Sequence, residues 1–170
     1  RMEPQKTFDS ILMTPLNIQE IVAGEILWGA TKALFTATAI LIVMLPLRLA
    51  PSPLALLVPL AAILIGLMFA SMAVLYTSYS PSYEFFNYFF TLVITPMFLL
   101  SGVFFPLDKL PLWVQKLSWF MPLTHGVNLT RGLVTGRAGV ELVWDILFIL
   151  VFTSICFAFA VTRVKRRVIQ

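Results

Sequence analysis

Four stretches of this chain, 21–47, 54–76, 85–105 and 142–162, are apolar almost without interruption. A hydrocarbon core about 30 Å thick is crossed by roughly 20 helical residues, and each stretch meets that length. No water reaches backbone N–H and C=O groups inside lipid. Runs of this length therefore read as helices, which pair their own backbone, rather than as open sheet. The expected fold is an all-α, polytopic membrane protein with four transmembrane helices.

Charge agrees with that reading. Charged residues make up 12% of the chain, where a soluble domain carries about 25%, and the mean hydropathy is +0.93. The net charge of +4 comes largely from Arg163, Lys165, Arg166 and Arg167, just after the last apolar run. Basic residues there mark a cytoplasmic flank rather than a nucleic-acid site. The aromatics lie inside apolar runs and offer bases no stacking platform, so the expected surroundings are membrane lipids and no nucleic acid. Cys156 is the single cysteine and reads as an inert packing residue. No signal-peptide pattern opens the chain, and a start at Arg1 reads as a fragment.

Four crossings put both ends on one side. The basic 163–170 tail places that side in the cytoplasm, together with 1–20 and the link 78–84. The link 48–53 and the region 106–141 then face outward. Glu141 and Asp145 read as charges capping the start of the last span, where acids suit a helix N-terminus.

In the lead-in, Phe8, Ile11, Leu12 and Leu16 share a helical face. Pro15 ends the first turns, and Asn17 with Glu20 fits a capping box opening the next helix. The amphipathic piece either rests on the lipid interface or docks a soluble partner. Glu25 and Lys32 lie seven residues apart on a similar face of the first span. They either pair or snorkel to the headgroups, or serve in coupling or in lining a pathway. Gly29, Ala33 and Ala37 recur at spacing four, as do Ala62, Gly66 and Ala70. Such stripes let helix backbones approach, although alanine is also common in membrane helices.

The region from Leu100 to Arg131 is too short and polar to span, yet too apolar for an ordinary loop. Ser101-Gly102 and Pro106 break the third run. Leu110, Trp113, Val114, Leu117, Phe120 and Met121 then fall at helical spacings. Pro122 restarts the chain, a favourable first helical residue because its missing N–H would be unpaired anyway. Gly132 and Gly136 end or loosen this second piece. Two short helices dipping into the outer leaflet are expected, shielded by protein or lining a wet cavity.

These residues carry a resemblance. Leu100-Ser101-Gly102, then Leu110-Pro111, then Pro122-Leu123-Thr124-His125, with Arg131 six residues after the histidine, resemble the signature of ABC transporter type-2 permeases (the ABC2 membrane domain). The chain is most similar to their nodulation lipo-oligosaccharide and multidrug export branch. The lead-in TFDSILMTPLNIQEIVAGEILW also resembles the family's segment before its third span, so the likeness covers essentially the whole chain. It implies six spans with cytoplasmic termini, of which these four are the last. It makes Phe8, Ile11, Leu12, Pro15 and Leu16 an ATPase-coupling helix, with Glu25 and Lys32 just above that contact. The hairpin residues Ser101, Gly102, Pro106, Leu110, Pro111, Pro122, His125 and Arg131 would form an outward exit gate.

The implied partners are an ABC ATPase subunit and a second permease subunit, in a homodimer, in a bacterial inner membrane. No Gly-rich phosphate loop occurs in the sequence, so ATP and Mg would sit on the partner ATPase. No cofactor or metal is expected on this chain. His125 is its only histidine, which leaves no second one for a metal site or a catalytic triad, and it reads as a structural anchor. The cargo class implied is amphipathic: a lipid-linked or modified oligosaccharide, a lipid or a drug. Two rivals are a membrane-embedded lipid-modifying enzyme, which needs clustered acid and base groups at one depth, and a secondary transporter, which usually shows paired repeats and mid-membrane charges.

Overall fold

The computed structural model describes residues 18–79, 87–104, 107, 111–137 and 139–168. Regular structure among them is helical throughout. α1 is Ile18–Met44. A 3-10 turn, Pro53–Leu57, leads into α2, Val58–Tyr79. α3 is Asn87–Leu100, α4 Leu112–Trp119, α5 Pro122–Thr135 and α6 Val140–Val168. Among the described residues, three stretches are long and apolar enough to cross a membrane: Gln19–Met44, Pro53–Tyr79 and Val140–Lys165.

α1 and α2 meet through their small residues, which decides between the two readings of the stripes. A Cβ on Gly29 would lie 2.8 Å from Ala70 Cβ, and one on Gly66 would lie 2.7 Å from Ala33 Cβ and 2.9 Å from Ala30 Cα. Backbones this close exclude any larger side chain. The pairing also shows that the two helices run antiparallel. α6 packs along α2 in the same direction: Arg163 Nε donates to Tyr79 Oη at 2.8 Å, joining their C-terminal ends. At this end Val22, Ile26 and Ala160 form one buried cluster. Towards the other end Ala61, Met68, Leu129, Leu133 and Ile149 form a second.

α2 thus ends where α6 will end, while α6 begins at the opposite side. The chain between them returns across the bundle, and α3 lies on that return path. Within the expected third span, 85–105, the described helix is Asn87–Leu100, about 21 Å at 1.5 Å per residue. Residues 85, 86 and 105 lie outside the described residues. Pro96 lacks an N–H and its ring crowds the preceding turn. The helix widens there into a π turn, Phe90–Ile94, with Thr95 giving both its N–H and its hydroxyl (2.9 Å) to the Phe90 carbonyl.

Two expectations are corrected at the end of the chain. The basic residues from 163 do not form a separate tail, because α6 runs to Val168. Asp145 is not a cap either: α6 starts at Val140, which leaves Asp145 inside the helix and buried.

Candidate functional site

The break after α3 is closed by the hairpin. Leu100 is the last residue of α3, and its carbonyl lacks a helical partner, as the final carbonyls of any helix do. Ser118, from the last turn of α4, donates to that carbonyl at 2.5 Å. A serine hydroxyl has one proton, so Thr124 of α5 must donate to Ser118 Oγ across 3.1 Å. Ser101 bends back to the Phe98 carbonyl at 3.0 Å. Gly102 turns the chain at φ +81°, a conformation that a side chain resists. Its carbonyl receives Arg131 Nη2 at 2.8 Å. One hydroxyl pair and one guanidinium therefore stitch both hairpin helices to the end of α3.

The hairpin itself forms for local reasons. The Pro111 carbonyl accepts the N–H groups of Val114 (2.9 Å) and Gln115 (3.1 Å), opening α4. Pro122 occupies the first turn of α5, where no N–H is needed. Gly136 ends α5 in the left-handed region, φ 77°, against Ser52 at the start of the 3-10 turn. Gly132 does not end the helix. It lies inside α5, where an added Cβ would stand 2.6 Å from Leu142 Cδ2 of α6.

The strongest polar contact ties this hairpin to α6. His125 is 3% exposed and Asp145 7%. Their Nδ1 and Oδ1 atoms are 2.7 Å apart. On the other side of the ring, Nε2 lies 2.9 Å from the Trp119 carbonyl. A carbonyl can only accept, so Nε2 carries a proton. One further proton is shared between Nδ1 and the carboxyl. The pair is then neutral as a unit, whether written as imidazolium-carboxylate or imidazole-carboxylic acid, and a neutral unit suits burial. Phe148, one turn beyond Asp145, stacks on the imidazole at 3.9 Å and 25°, while Trp119 meets it edge-on at 5.8 Å. Both ring nitrogens are occupied and both flanks are covered, so the imidazole has no free lone pair to offer a substrate.

The structure thus brings Ser101, Gly102, His125 and Arg131 together, with Pro111 and Pro122 starting the two helices. Pro106 and Leu110 lie outside the described residues, as do Phe8, Ile11, Leu12, Pro15 and Leu16. Glu25 and Lys32 are exposed on α1. They form no ion pair with each other among the described residues, which corrects the pairing reading. Lys32 Nζ instead stands over the Trp28 ring at 5.2 Å. Sequence reasoning missed Asp145, Ser118, Thr124 and Phe148. One signal was available: an acid inside an apolar span needs a partner, and the chain offers a single histidine.

Residues 1–135 match the family described as ABC-2 type transporter. The chain belongs to that family. It is 37% identical over its whole length to nodulation protein J of Rhizobium leguminosarum bv. trifolii, covering 65% of that protein. It is likewise 37% identical, over 98% of its length, to nodulation protein J of Rhizobium meliloti (strain 1021), covering 64%. To the probable multidrug ABC transporter permease YbhR of Escherichia coli (strain K12) it is 28% identical over 99% of its length, covering 46% of that relative. The chain therefore spans about two thirds or less of the relatives it resembles. No solved structure matches it. Within this ABC-2 family member, the stitched break, the hairpin and the His125–Asp145 pair form the candidate site.

Proposed function

We propose that the chain is the membrane-spanning permease part of an ABC exporter, carrying an amphipathic cargo and driven by ATP hydrolysis on a separate ATPase subunit. The observation that carries this reading is the His125–Asp145 lock, which fixes a non-spanning hairpin at one end of a helix bundle. The opposite end, where α1 begins and α6 ends, is left for a driving partner. On this reading that end is cytoplasmic, the basic residues from Arg163 onward face the anionic inner leaflet, and the hairpin gates the outer exit.

ATP and Mg would be held by the ATPase subunit, and two permease subunits, identical copies, would form the path. The segment containing Phe8, Ile11, Leu12, Pro15 and Leu16 would take up ATPase motion, and the bundle would pass it to the hairpin. An open apolar pocket of about 370 Å³, bordered by Phe69, Phe89, Met97, Phe98 and Leu123, supports a cargo with a hydrocarbon part, such as a lipid, a lipid-linked or modified oligosaccharide, or a drug.

The test is co-expression of the full-length permease with a candidate ATPase and reconstitution into vesicles. ATP-dependent movement of a fluorescent amphiphile is expected, together with loss of coupling in Leu12→Asp or Leu16→Asp variants that still assemble. ATPase activity that ignores the permease and both substitutions would overturn the reading.

A further inference from the structure

α1 presents one face that neither the bundle nor the hairpin explains. Val22, Ile26 and Ala30 are buried against the bundle. Glu25, Trp28, Lys32 and Thr36, at i, i+3, i+7 and i+11, lie together on another face and are all exposed. The pairing of Gly29 with Ala70 and of Ala33 with Gly66 makes Lys32 level with Leu67, near the middle of the span Pro53–Tyr79. Lys32 therefore sits about 14 Å from the start of α2 and about 18 Å from its end, close to the centre of a 30 Å hydrocarbon core.

A lysine side chain on a helix leans towards the N-terminus, and here the ammonium reaches only as far as Trp28, 5.2 Å from the ring centroid. That falls well short of the headgroups, so snorkelling does not account for it. Glu25 is about 10 Å further along the axis and does not neutralise it. No other Lys or Arg among the described residues lies in the middle of a span. An ammonium at this depth is costly in lipid and needs water or a negative partner.

We propose that Trp28 and Lys32 form a mid-membrane station for the anionic headgroup of an amphiphilic cargo, in a wetted cleft along α1. Charge complementarity selects the occupant. The ammonium meets a phosphate or carboxylate, the indole covers the adjoining apolar part of the molecule, and Thr36 lies one turn above on the same face. This inference rests on the permease reading and gives that path a preferred headgroup charge.

The test uses the full-length permease with its ATPase in membrane vesicles, carrying Thr36→Cys in a Cys156→Ala background. Cys156 is the single cysteine of this sequence, and any cysteine elsewhere in the full-length permease is replaced as well, so that the label reads position 36 alone. Anionic and cationic water-soluble methanethiosulfonates are compared. A single positive charge within about 6 Å attracts one reagent and repels the other, so the anionic reagent is expected to react about tenfold faster. Lys32→Gln should abolish that preference while Lys32→Arg retains it. Dodecyl phosphate should protect the cysteine, and dodecyl maltoside should not.

A Thr36→Cys that reacts no faster than a lipid-facing Val151→Cys would overturn the inference, because the face would then be dry and packed against protein or lipid. So would equal protection by the two detergents. ATPase association is scored in the same vesicles. Its absence from the unsubstituted permease would count against the permease reading, whereas intact association with a dry Thr36→Cys would count against the station alone.

Discussion

Cutting one side of the His125–Asp145 pair tests whether it locks the hairpin. Asp145→Ala removes the partner of Nδ1 and leaves a hole beside Phe148, while Nε2 stays held by the Trp119 carbonyl. Breaking one member of a buried, hydrogen-bonded ion pair costs about 3–5 kcal/mol. Asp145→Asn is different. An asparagine N–H can donate to Nδ1 of a neutral imidazole, and Nε2 can still donate to Trp119. Only the charge-assisted part is lost, about 1–2 kcal/mol. In His125→Ala the carboxyl is left alone and the Phe148 stack goes with it, again about 3–5 kcal/mol.

The double variant His125→Ala/Asp145→Ala should cost less than the two single changes together. A coupling of about 2 kcal/mol lies within the range seen for residues in contact. Thermal unfolding of the purified protein in detergent reads this out. At about 2–4 °C per kcal/mol for a chain of this size, Asp145→Ala should lower Tm by about 6–20 °C and Asp145→Asn by about 2–8 °C. Equal losses for Asn and Ala, or additive single changes, would refute the argument that a satisfied polar pair holds α5 to α6.

Arg131→Ala should leave the Gly102 carbonyl without its guanidinium, costing about 1–3 kcal/mol, with Arg131→Lys intermediate; protease cleavage rates in the hairpin would check it. Gly66→Val should force α1 from α2, because even a Cβ there would sit 2.7 Å from Ala33 Cβ. A loss of about 1–3 kcal/mol is expected, read as slowed cross-linking between cysteines placed at Ala37 and Ala62. Gly24→Ala is the matching control: a Cβ there meets nothing within 4 Å, and removing a helical glycine should raise stability by about 0.5–1 kcal/mol in the same melt. Gly102→Ala should destabilise by about 1–2 kcal/mol, since φ is +81° and the new Cβ would press on Leu107 Cγ at 3.0 Å.

The helices were legible from composition and run length, because a bilayer leaves a backbone few alternatives. The hairpin was legible too: Ser101-Gly102, Pro111 and Pro122 are local devices, and each acts on its own turn. The described helix of the third span ends at the Ser101-Gly102 break, and a hydropathy run does not register the residue that distorts it from within, Pro96. That residue removes one hydrogen bond and widens the turn before it, although it lies within an apolar sequence.

The sequence alone determined that this chain is helical, membrane-embedded and interrupted by a short hairpin on one side. Those properties follow from interactions within a few residues and from the solvent itself. Tertiary structure decided which polar groups meet. Asp145 reads as a cap from its place near the start of an apolar run, and His125 reads as solitary from its count. Only the packing of α5 on α6 brings them within 2.7 Å. The same holds for the level of Lys32 against Leu67 of α2, which emerges only once Gly29 and Gly66 fix how far α1 slides along α2. Depth and partnership depend on helix register and on which faces meet, and sequence separation encodes neither.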